Sequence, residues 1–441
     1  MKNTILILLF SFSLISCKNT SDDTKENIII DRALYQDQLE GFWLGQCIAN
    51  WTGLITEMDK IGIPSNGMGE GFYTREDWGK KDQPNIWGSS DLSETIDFIY
   101  AEKDSIWGAD DDTDIEYIYQ ELLFSSPTLN ITGEQIRKAW LDHINIEEEN
   151  YLWVSNQKAF DLMQEGKIPP ETSDPDLNEH YEMIDAQLTT EIFGFYAPTK
   201  PKIALELAHL AVRTSARNNA AWIAEFNIIM YSLASLETQH KNIKDKLQWM
   251  AKEARKHLPN DSYSAKMFDF VSAQYQSGVS WETARDSLHY KYQIQQADGY
   301  QWSTLDESCS GCFAAGINFG ASIVSLLYGE GNIKETIKIG ALAGWDSDNP
   351  TATWGGLLGF IIGKNEIEKV FDKEFAKEFN IHRTRKGFPN NGIDTFENMA
   401  KKGIAIVDRV VKNKMSGSID LKKNQWVIPT NNEKRIFKKL K

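Results

Sequence analysis

Apolar side chains recur at intervals of three and four residues along most of the chain, which is the spacing of one face of an α-helix. Near the start, Leu39, Phe42, Trp43 and Cys47 follow this spacing. Runs that alternate between apolar and polar residues, as half-buried strands do, are hard to find, and no repeat of fixed period is visible. The pattern predicts an all-α protein with one main domain that begins at Asp31.

Two segments, 310–325 and 340–363, are unusually rich in glycine, alanine and serine. Small residues allow helices to approach closely and suit helices that are buried on all sides. We expect both segments to form central helices that carry whatever site the domain has.

The start of the chain has the pattern of an export signal. Lys2 supplies a positive charge, residues 5–15 form an apolar run too short to span a bilayer permanently, and Leu14-Ile15-Ser16-Cys17 resembles a bacterial lipobox. We expect 1–16 to be a lipoprotein signal peptide and Cys17 to be lipidated; the alternative is an ordinary signal with a cysteine there by chance. The protein would then be a cell-envelope lipoprotein, held by this lipid to the outer membrane and facing the periplasm or the cell surface.

The rest of the chain divides into three predicted parts. Residues 17–30 are expected to be a flexible tether, 31–412 a catalytic domain, and 413–441 a basic tail with an apolar island at Trp426-Val427-Ile428. The formal charge of −16 argues against nucleic acid as a partner, because the two would repel each other.

Beyond Cys17, the sequence has three cysteines, Cys47, Cys309 and Cys312. Three cannot make a disulfide framework, although Cys309 and Cys312 could pair as a redox motif. Because Phe313-Ala314-Ala315-Gly316-Ile317 continues an apolar, small-residue stretch, we favour the interpretation that both are small residues in a packed helix.

An acidic cluster opens a predicted helix near residue 110. Asp110, Asp111 and Asp112 precede an apolar stripe at helical spacing that begins at Ile115. Capping is one explanation, because Asp accepts hydrogen bonds from free backbone N–H groups and is favoured by the helix dipole. One aspartate is enough for that role, whereas three in a row repel one another unless a positive charge lies between them.

A second cluster, Asp346-Ser347-Asp348, precedes a helix in which Asn349 is the expected N-cap and Pro350 the first helical residue. Its neighbours are apolar or small, so both carboxylates are expected to be buried, and no Lys or Arg occurs in 339–363 to pair with them. Divalent cations such as Mg²⁺ bind carboxylate oxygens, and two ions can share them. Taken together, the two clusters predict a metal site.

Three motifs together resemble the ADP-ribosylglycohydrolase superfamily, of the dinitrogenase reductase-activating glycohydrolase type. Gly41–Cys47 is similar to the family's Gly-x-x-x-Gly-Asp opening helix, Asp110–Thr113 to its Thr-Asp-Asp-Thr motif, and Gly344–Gly359 to its Gly-Gly-Asp-x-Asp-Thr segment. The similarity covers most of residues 31–370. It implies an orthogonal multi-helix bundle with two Mg²⁺ or Mn²⁺ ions between these helices.

The resemblance also implies roles for individual residues. Gln46 replaces the aspartate of the opening motif, and a further acidic residue of the family falls on Gly53 by counting, with Glu57 the nearest acid. Asp110 and Asn349 stand where the family has ligating threonines. The general acid or base is expected among Asp110, Asp111 and Glu57. The implied metal ligands are Asp110, Asp111, Asp112, Asp346, Asp348 and Asn349.

Trp107, Trp345 and Ser347 are predicted substrate contacts, since aromatic faces stack on sugar rings, although a tryptophan is also a common core residue. Such a site would bind a sugar diol and orient a water for glycosidic cleavage. Because the chain carries an export signal, we expect a small-molecule or oligosaccharide substrate, namely an extracytoplasmic glycan or glycoside. Three alternatives stay open: hydrolysis of ADP-ribosyl linkages, a catalytically weak metal- and sugar-binding lipoprotein, and a metal-dependent phosphoesterase.

Overall fold

The computed structural model describes residues 27–63, 68–88, 92–236, 242–302, 309 and 311–430. Most of these residues are helical, so the all-α fold class is confirmed. The predicted signal peptide, Cys17 and the first part of the predicted tether lie outside the described residues. In the described chain, every helix is either too short or too polar to cross a membrane.

Helices form the body of the fold, and many of them begin at a side chain that caps them. Asp31, Asn242, Ser262, Ser280 and Thr395 each accept a hydrogen bond from a backbone N–H of the first turn. In chain order the helices are α1 Arg32–Gly53, α2 Asp111–Ser125, α3 Gly133–His143, α4 Val154–Gln164, α5 Asp185–Thr189, α6 Phe193–Tyr196, α7 Pro201–Val212, α8 Asn218–Ala234, α9 Ile243–Arg255, α10 Tyr263–Gln276, α11 Trp281–His289, α12 Ala315–Tyr328, α13 Ile333–Ala343, α14 Asp348–Ile362, α15 Lys364–Phe371 and α16 Phe396–Asn413.

The two small-residue segments lie at the centre of the molecule, as the sequence predicts. Residues 315–327 of α12 and 348–360 of α14 are all buried. Helix α14 crosses α1 with the two backbones in contact: a β-carbon on Gly359 would lie 2.2 Å from the carbonyl oxygen of Gly41, and one on Gly45 would lie 2.5 Å from a carbonyl oxygen of α14. Because no side chain fits at these crossings, α1 and α14 hold their functional residues at a short, fixed separation.

The described residues also form two small three-stranded sheets, which the apolar spacing does not predict. Their strands are β1 Asn27–Asp31, β2 Ile106–Gly108, β3 Glu378–Asn380, β4 Ile393–Thr395, β5 Ser418–Asp420 and β6 Gln425–Pro429. The first sheet has the order β1-β6-β5, with antiparallel neighbours. In the second, β2 is parallel to β3 and β3 is antiparallel to β4. Strands this short contain too few residues to show an alternating pattern.

The first sheet joins the two ends of the described chain. Residues 27–30, expected within the flexible tether, instead form a strand that pairs with β6 of the expected tail. Trp426 of that tail is fully buried, its ring lies 5.0 Å from that of Tyr35, and its indole N–H donates to Asp408 Oδ1 at 2.7 Å. The apolar island therefore anchors the tail, and the folded unit extends beyond both predicted limits of the catalytic domain, 31 and 412.

Cys309 and Cys312 form a disulfide, so the interpretation that they are unpaired residues of a helix is wrong. Gly311 has a φ of +74°, a conformation that glycine adopts without strain. The chain therefore turns between the two cysteines, and α12 begins only at Ala315. This turn brings the two Cα atoms to 5.5 Å, a separation that suits a disulfide.

Candidate metal centre and active site

The first acidic cluster lies where β2 leads into α2. Asp110 immediately precedes the helix, and its backbone N–H donates to the Thr113 hydroxyl at 3.0 Å. Its carboxylate accepts from Arg383 Nη1 through Oδ1 at 2.9 Å and from Asn50 Nδ2 through Oδ2 at 3.3 Å. The Asp110 carboxylate therefore accepts hydrogen bonds from distant parts of the chain, in addition to any role as the cap of α2.

The second cluster follows a sharp turn after α13. Gly344 and Trp345 have φ values of +93° and +57°, and a β-carbon on Gly344 would lie 2.5 Å from the carbonyl oxygen of Lys60. The chain reverses here, and Asp348 becomes the first residue of α14. Asn349 is therefore inside the first turn, and the prediction that it caps the helix is wrong.

The two clusters meet in the folded protein. Carboxylate oxygens of Asp110, Asp111 and Asp348 lie within 4.8 Å of one another, and so do oxygens of Glu57, Asp346 and Asp348. Asp348 belongs to both groups. Two adjacent oxygen groups that share a carboxylate are the arrangement that a pair of divalent cations needs.

Glu57 enters the site on the loop that follows α1. Thr56 Oγ1 lies 3.1 Å from Ser347 Oγ, and the Met58 N–H donates to the Trp345 carbonyl at 2.8 Å. These contacts on either side of Glu57 tie its loop to the segment that carries the second cluster. The structure therefore brings Glu57 beside the second cluster, and its role as acid or base stays a prediction.

Gly53 has no space for an acidic side chain. A β-carbon there would lie 2.4 Å from the Cα of Asp348, because the end of α1 meets the start of α14 at this point. In the segment at the end of α1, the carboxylate that approaches Asp348 therefore comes from Glu57, four residues after Gly53.

Among the described carboxylates, Asp112 lies beside the two groups without being part of either, and Asn349 is its neighbour. The Asn349 amide donates to Asp112 Oδ1 at 3.2 Å, and Asn349 Oδ1 accepts from Gln187 Nε2 at 3.0 Å. Asp112 Oδ2 accepts from Asn50 at 2.9 Å. The structure thus brings four of the six predicted ligands together with Glu57 and gives the other two hydrogen-bond partners of their own.

The electrostatics of the groups favour a bound cation. Burial raises the pKa of Asp348 well above its usual value, and the negative charge of Asp346 raises it further. Arg383 pairs with Asp110, but among the described residues no cation pairs with the remaining carboxylates of the two groups. Asp348 Oδ1 is buried and has no hydrogen-bond partner among the residues that the structure describes. An unpaired buried carboxylate oxygen within an all-oxygen set fits Mg²⁺ or Mn²⁺.

Asn50 is a site residue that the sequence analysis missed. Its Nδ2 lies 2.9 Å from Asp112 Oδ2 and 3.3 Å from both Asp110 Oδ2 and Asp348 Oδ2. It follows Gln46 by one turn of α1, so the helical spacing from the opening motif could have indicated it. Gln46 itself donates to Glu116 Oε2 at 2.7 Å, so it serves a neighbouring buried carboxylate.

Arg383 is the second residue missed, because it lies outside every motif. The pairing of β2 with β3 places the segment after β3 beside the segment after β2. The Ala109 N–H donates to the Asn380 carbonyl at 3.1 Å, and three residues further on Arg383 reaches Asp110. Only the tertiary pairing of two short strands brings this arginine to the site.

The predicted substrate contacts are buried around the site. Trp345 is fully buried and donates to Gln293 Oε1 at 2.8 Å, and Ser347, also fully buried, donates to the Gly53 carbonyl at 3.0 Å. Trp107 is 2% exposed, and its indole N–H donates to the Ala376 carbonyl at 3.2 Å. Trp345 and Ser347 have no surface open to a sugar, so we interpret them as packing residues and correct their predicted substrate role. Trp107 lines a cavity together with Arg383, so its contact with substrate stays a prediction.

Comparison with known proteins identifies the family of this chain. The family model of ADP-ribosylglycohydrolase matches residues 31–385, which include both carboxylate groups and Arg383. A solved chain described as "ADP-ribosylglycohydrolase-related protein complex" is similar over 85% of this chain and 98% of that chain, with 15% sequence identity and a TM-score of 0.46. None of the curated proteins matches this sequence. Since the family match covers well over half of the chain, the protein belongs to the ADP-ribosylglycohydrolase family.

Proposed function

We propose that this protein is a metal-dependent glycohydrolase that cleaves a glycosidic bond in an extracytoplasmic glycan or glycoside. Membership of the family supports a glycohydrolase-type function in general. The observation that carries the metal dependence is the meeting of two carboxylate groups that share Asp348. This meeting joins segments that are far apart in the sequence, so it does not result from local capping.

The residues of this site are assigned separate roles in metal binding and proton transfer. Asp110, Asp111, Asp346 and Asp348 would hold two ions, Mg²⁺ or Mn²⁺, which would supply Lewis-acid activation of a water and bind sugar hydroxyls. Glu57 belongs to the second group and is only half-buried. A substrate can therefore reach it, and we assign it the role of general acid that protonates the glycosidic oxygen or of general base that takes a proton from the attacking water.

The extracytoplasmic location is part of this proposal. It rests on the export pattern at residues 1–16 and on Cys17 as a lipid-bearing residue that tethers the protein to the outer membrane. The Cys309–Cys312 disulfide supports it, because disulfides persist in oxidising compartments and are rare in the cytosol. Glycans and glycosides are the glycosidic substrates that an exported protein meets. Labelling with a radioactive fatty acid tests the anchor: the wild type is expected to take up label, and Cys17→Ala to take up none.

The test of activity is incubation with Mg²⁺ or Mn²⁺ and a panel of furanosides, oligosaccharides, an ADP-ribosylated protein and a phosphate ester. We expect released reducing sugar, which is lost on chelation and in Asp348→Asn. The control Asp161→Asn changes an exposed aspartate of α4 and is expected to retain activity. Release of ADP-ribose without glycoside turnover would refute the proposed substrate, release of phosphate alone would indicate a phosphoesterase, and no turnover would indicate a binding protein.

A further inference from the structure

Arg383 lies between the acidic groups and a neighbouring cavity. Its Nη1 donates to the Ala109 carbonyl at 2.8 Å and to Asp110 Oδ1 at 2.9 Å. Its Nε and Nη2 have no hydrogen-bond partner among the described residues, and neither is a buried unpaired atom. The side chain is 28% exposed. Half of the guanidinium is therefore open to a ligand.

Two aromatic rings fix the position of this guanidinium. Arg383 Cζ lies 4.7 Å from the centroid of the Trp51 ring and 5.5 Å from that of Tyr151. Trp51 is held by its own indole N–H, which donates to the Gly108 carbonyl at 3.1 Å, and the Tyr151 carbonyl accepts from Arg385 Nη2 at 3.4 Å. A side chain that is already held in place loses little freedom when a ligand binds.

The cavity beside Arg383 has a volume of about 400 Å³. Trp51 and Tyr100 give it aromatic walls, and Ser105 adds a hydroxyl at its exposed edge. Among the described residues that line it, Arg383 is the one charged side chain, although the protein as a whole carries a formal charge of −16. Aromatic walls suit the apolar face of a sugar ring, and a lone arginine selects a negative substituent on it.

We propose that this cavity binds the carboxylate of an acidic sugar through Arg383 Nε and Nη2, so that the substrate is a glycoside of a uronic acid. A planar guanidinium matches a planar carboxylate through two parallel hydrogen bonds. The inference rests on the proposed function for the scissile bond beside Asp110, but the binding step can be measured without turnover.

The first test is calorimetric titration of the full chain with D-glucuronate, D-glucose and inorganic phosphate, with and without Mg²⁺. We expect glucuronate to bind at least about tenfold more tightly than glucose or phosphate. Arg383→Gln is expected to lose this preference, and Arg383→Lys to lose most of it, because lysine keeps the charge but lacks the planar fork. Equal affinity for glucuronate and glucose, or tighter binding of phosphate than of glucuronate, overturns the proposal.

A second pair of variants avoids the contact between Arg383 and Asp110. Ser105→Glu places a negative charge in the cavity and should weaken glucuronate binding by about tenfold, whereas Ser105→Gln, of the same size, should stay within about twofold of the wild type. Mn²⁺ affinity should be unchanged in both. Lys373→Met controls for general charge, since Lys373 is near Tyr100 but does not line the cavity; it should bind glucuronate as the wild type does. Wild-type glucuronate affinity in Ser105→Glu overturns the proposal.

The two proposals fail in different ways. Glucuronate binding that depends on Arg383, without turnover of any glycoside, supports this inference and refutes the proposed function. Turnover of neutral glycosides with no preference for glucuronate supports the proposed function and refutes this inference.

Discussion

Asn50 shows how one neutral side chain can organise several charged ones. Its amide donates to Asp110, Asp112 and Asp348, so it bridges the two acidic clusters without adding charge. The acidic clusters are visible in the sequence because three consecutive aspartates, and two more in an apolar segment, are unusual patterns. A single asparagine within a helix is not unusual, and for that reason it escaped the sequence analysis.

Replacing Asn50 with alanine tests this bridging role. In the presence of a chelator, Asn50→Ala should lower the free energy of unfolding by about 1–3 kcal/mol, because three buried carboxylates lose a donor. Excess Mg²⁺ should restore part of the lost stability, because the bound cation neutralises the carboxylates. Asn178→Ala is the control, because Asn178 is also buried but donates to the carbonyl oxygens of Ser155 and Thr172. Urea denaturation with and without Mg²⁺ measures the free energy of unfolding of both variants. If Mg²⁺ stabilises Asn178→Ala as much as it stabilises Asn50→Ala, the bridging role of Asn50 is refuted.

Arg385 forms a fully buried ion pair with Asp114 at 2.8 Å, next to the site. Arg385→Met should reduce the free energy of unfolding by about 3–5 kcal/mol, because it leaves a buried carboxylate without its partner. The double variant Asp114→Asn with Arg385→Met should lose less than the single variant. Urea denaturation compares them; a double variant at least as unstable as the single one would contradict this account.

At the scale of helices and strands, the crossing of α1 and α14 determines where the site residues lie. Helix α1 carries Asn50 and leads to Glu57, while α14 begins at Asp348, so the separation of the two helices sets the distance between these groups. The sequence predicted α1 from its apolar spacing, and it predicted a closely packed central helix at α14 from the small residues of 340–363. The particular crossing depends on which glycines face each other, and the pattern of one helix alone does not reveal that.

Gly45→Ala tests the importance of this crossing. A β-carbon at Gly45 would lie 2.5 Å from the backbone of α14, so the helices must move apart. We expect a loss of about 1–3 kcal/mol in the free energy of unfolding, together with weaker Mn²⁺ binding. Gly403→Ala is the control, because its β-carbon would approach only the end of the Leu39 side chain, at 2.9 Å. Denaturation and Mn²⁺ titration measure both; Mn²⁺ affinity that is equal in Gly45→Ala and the wild type would contradict the argument.

At the scale of the whole molecule, pairing between segments that are far apart in the sequence determines features that local sequence patterns do not predict. Strand β1 and strand β6 lie at opposite ends of the described chain, and β2 and β3 are separated by most of the domain. Each strand has three to five residues, too few for a periodic signal, and the pairing of β2 with β3 is what brings Arg383 to Asp110. The sequence therefore predicted the helices and the acidic groups, but not the arginine or the joined ends.

Buried acids also make the stability of the whole molecule depend on pH. Burial raises the pKa of Glu191 to about 8, from an ordinary value of 4.5. Between these values the folded state binds more protons at Glu191 than the unfolded state does, so the contribution of Glu191 to stability is full below pH 4.5 and is lost as pH rises from 4.5 through 8. Glu191→Gln should reduce this fall, by on the order of 1 kcal/mol per pH unit.

Denaturation of the wild type and Glu191→Gln between pH 5 and 9 measures this effect. The two stability curves should approach each other at low pH and separate as pH rises, with the variant the more stable at pH 9. Glu206→Gln changes an exposed glutamate and should follow the wild type throughout. Parallel curves for Glu191→Gln and the wild type would show that Glu191 does not carry the dependence.

The shared position of Asp348 in both carboxylate groups makes calorimetric titration of Mn²⁺ into the wild type and Asp348→Asn the decisive experiment for the paired metal site. We expect the wild type to bind two ions, Asp348→Asn to bind both about tenfold or more weakly, and Asp161→Asn to bind them as the wild type does. Absence of Mn²⁺ binding in the wild type, or unchanged binding in Asp348→Asn, would contradict the paired metal site.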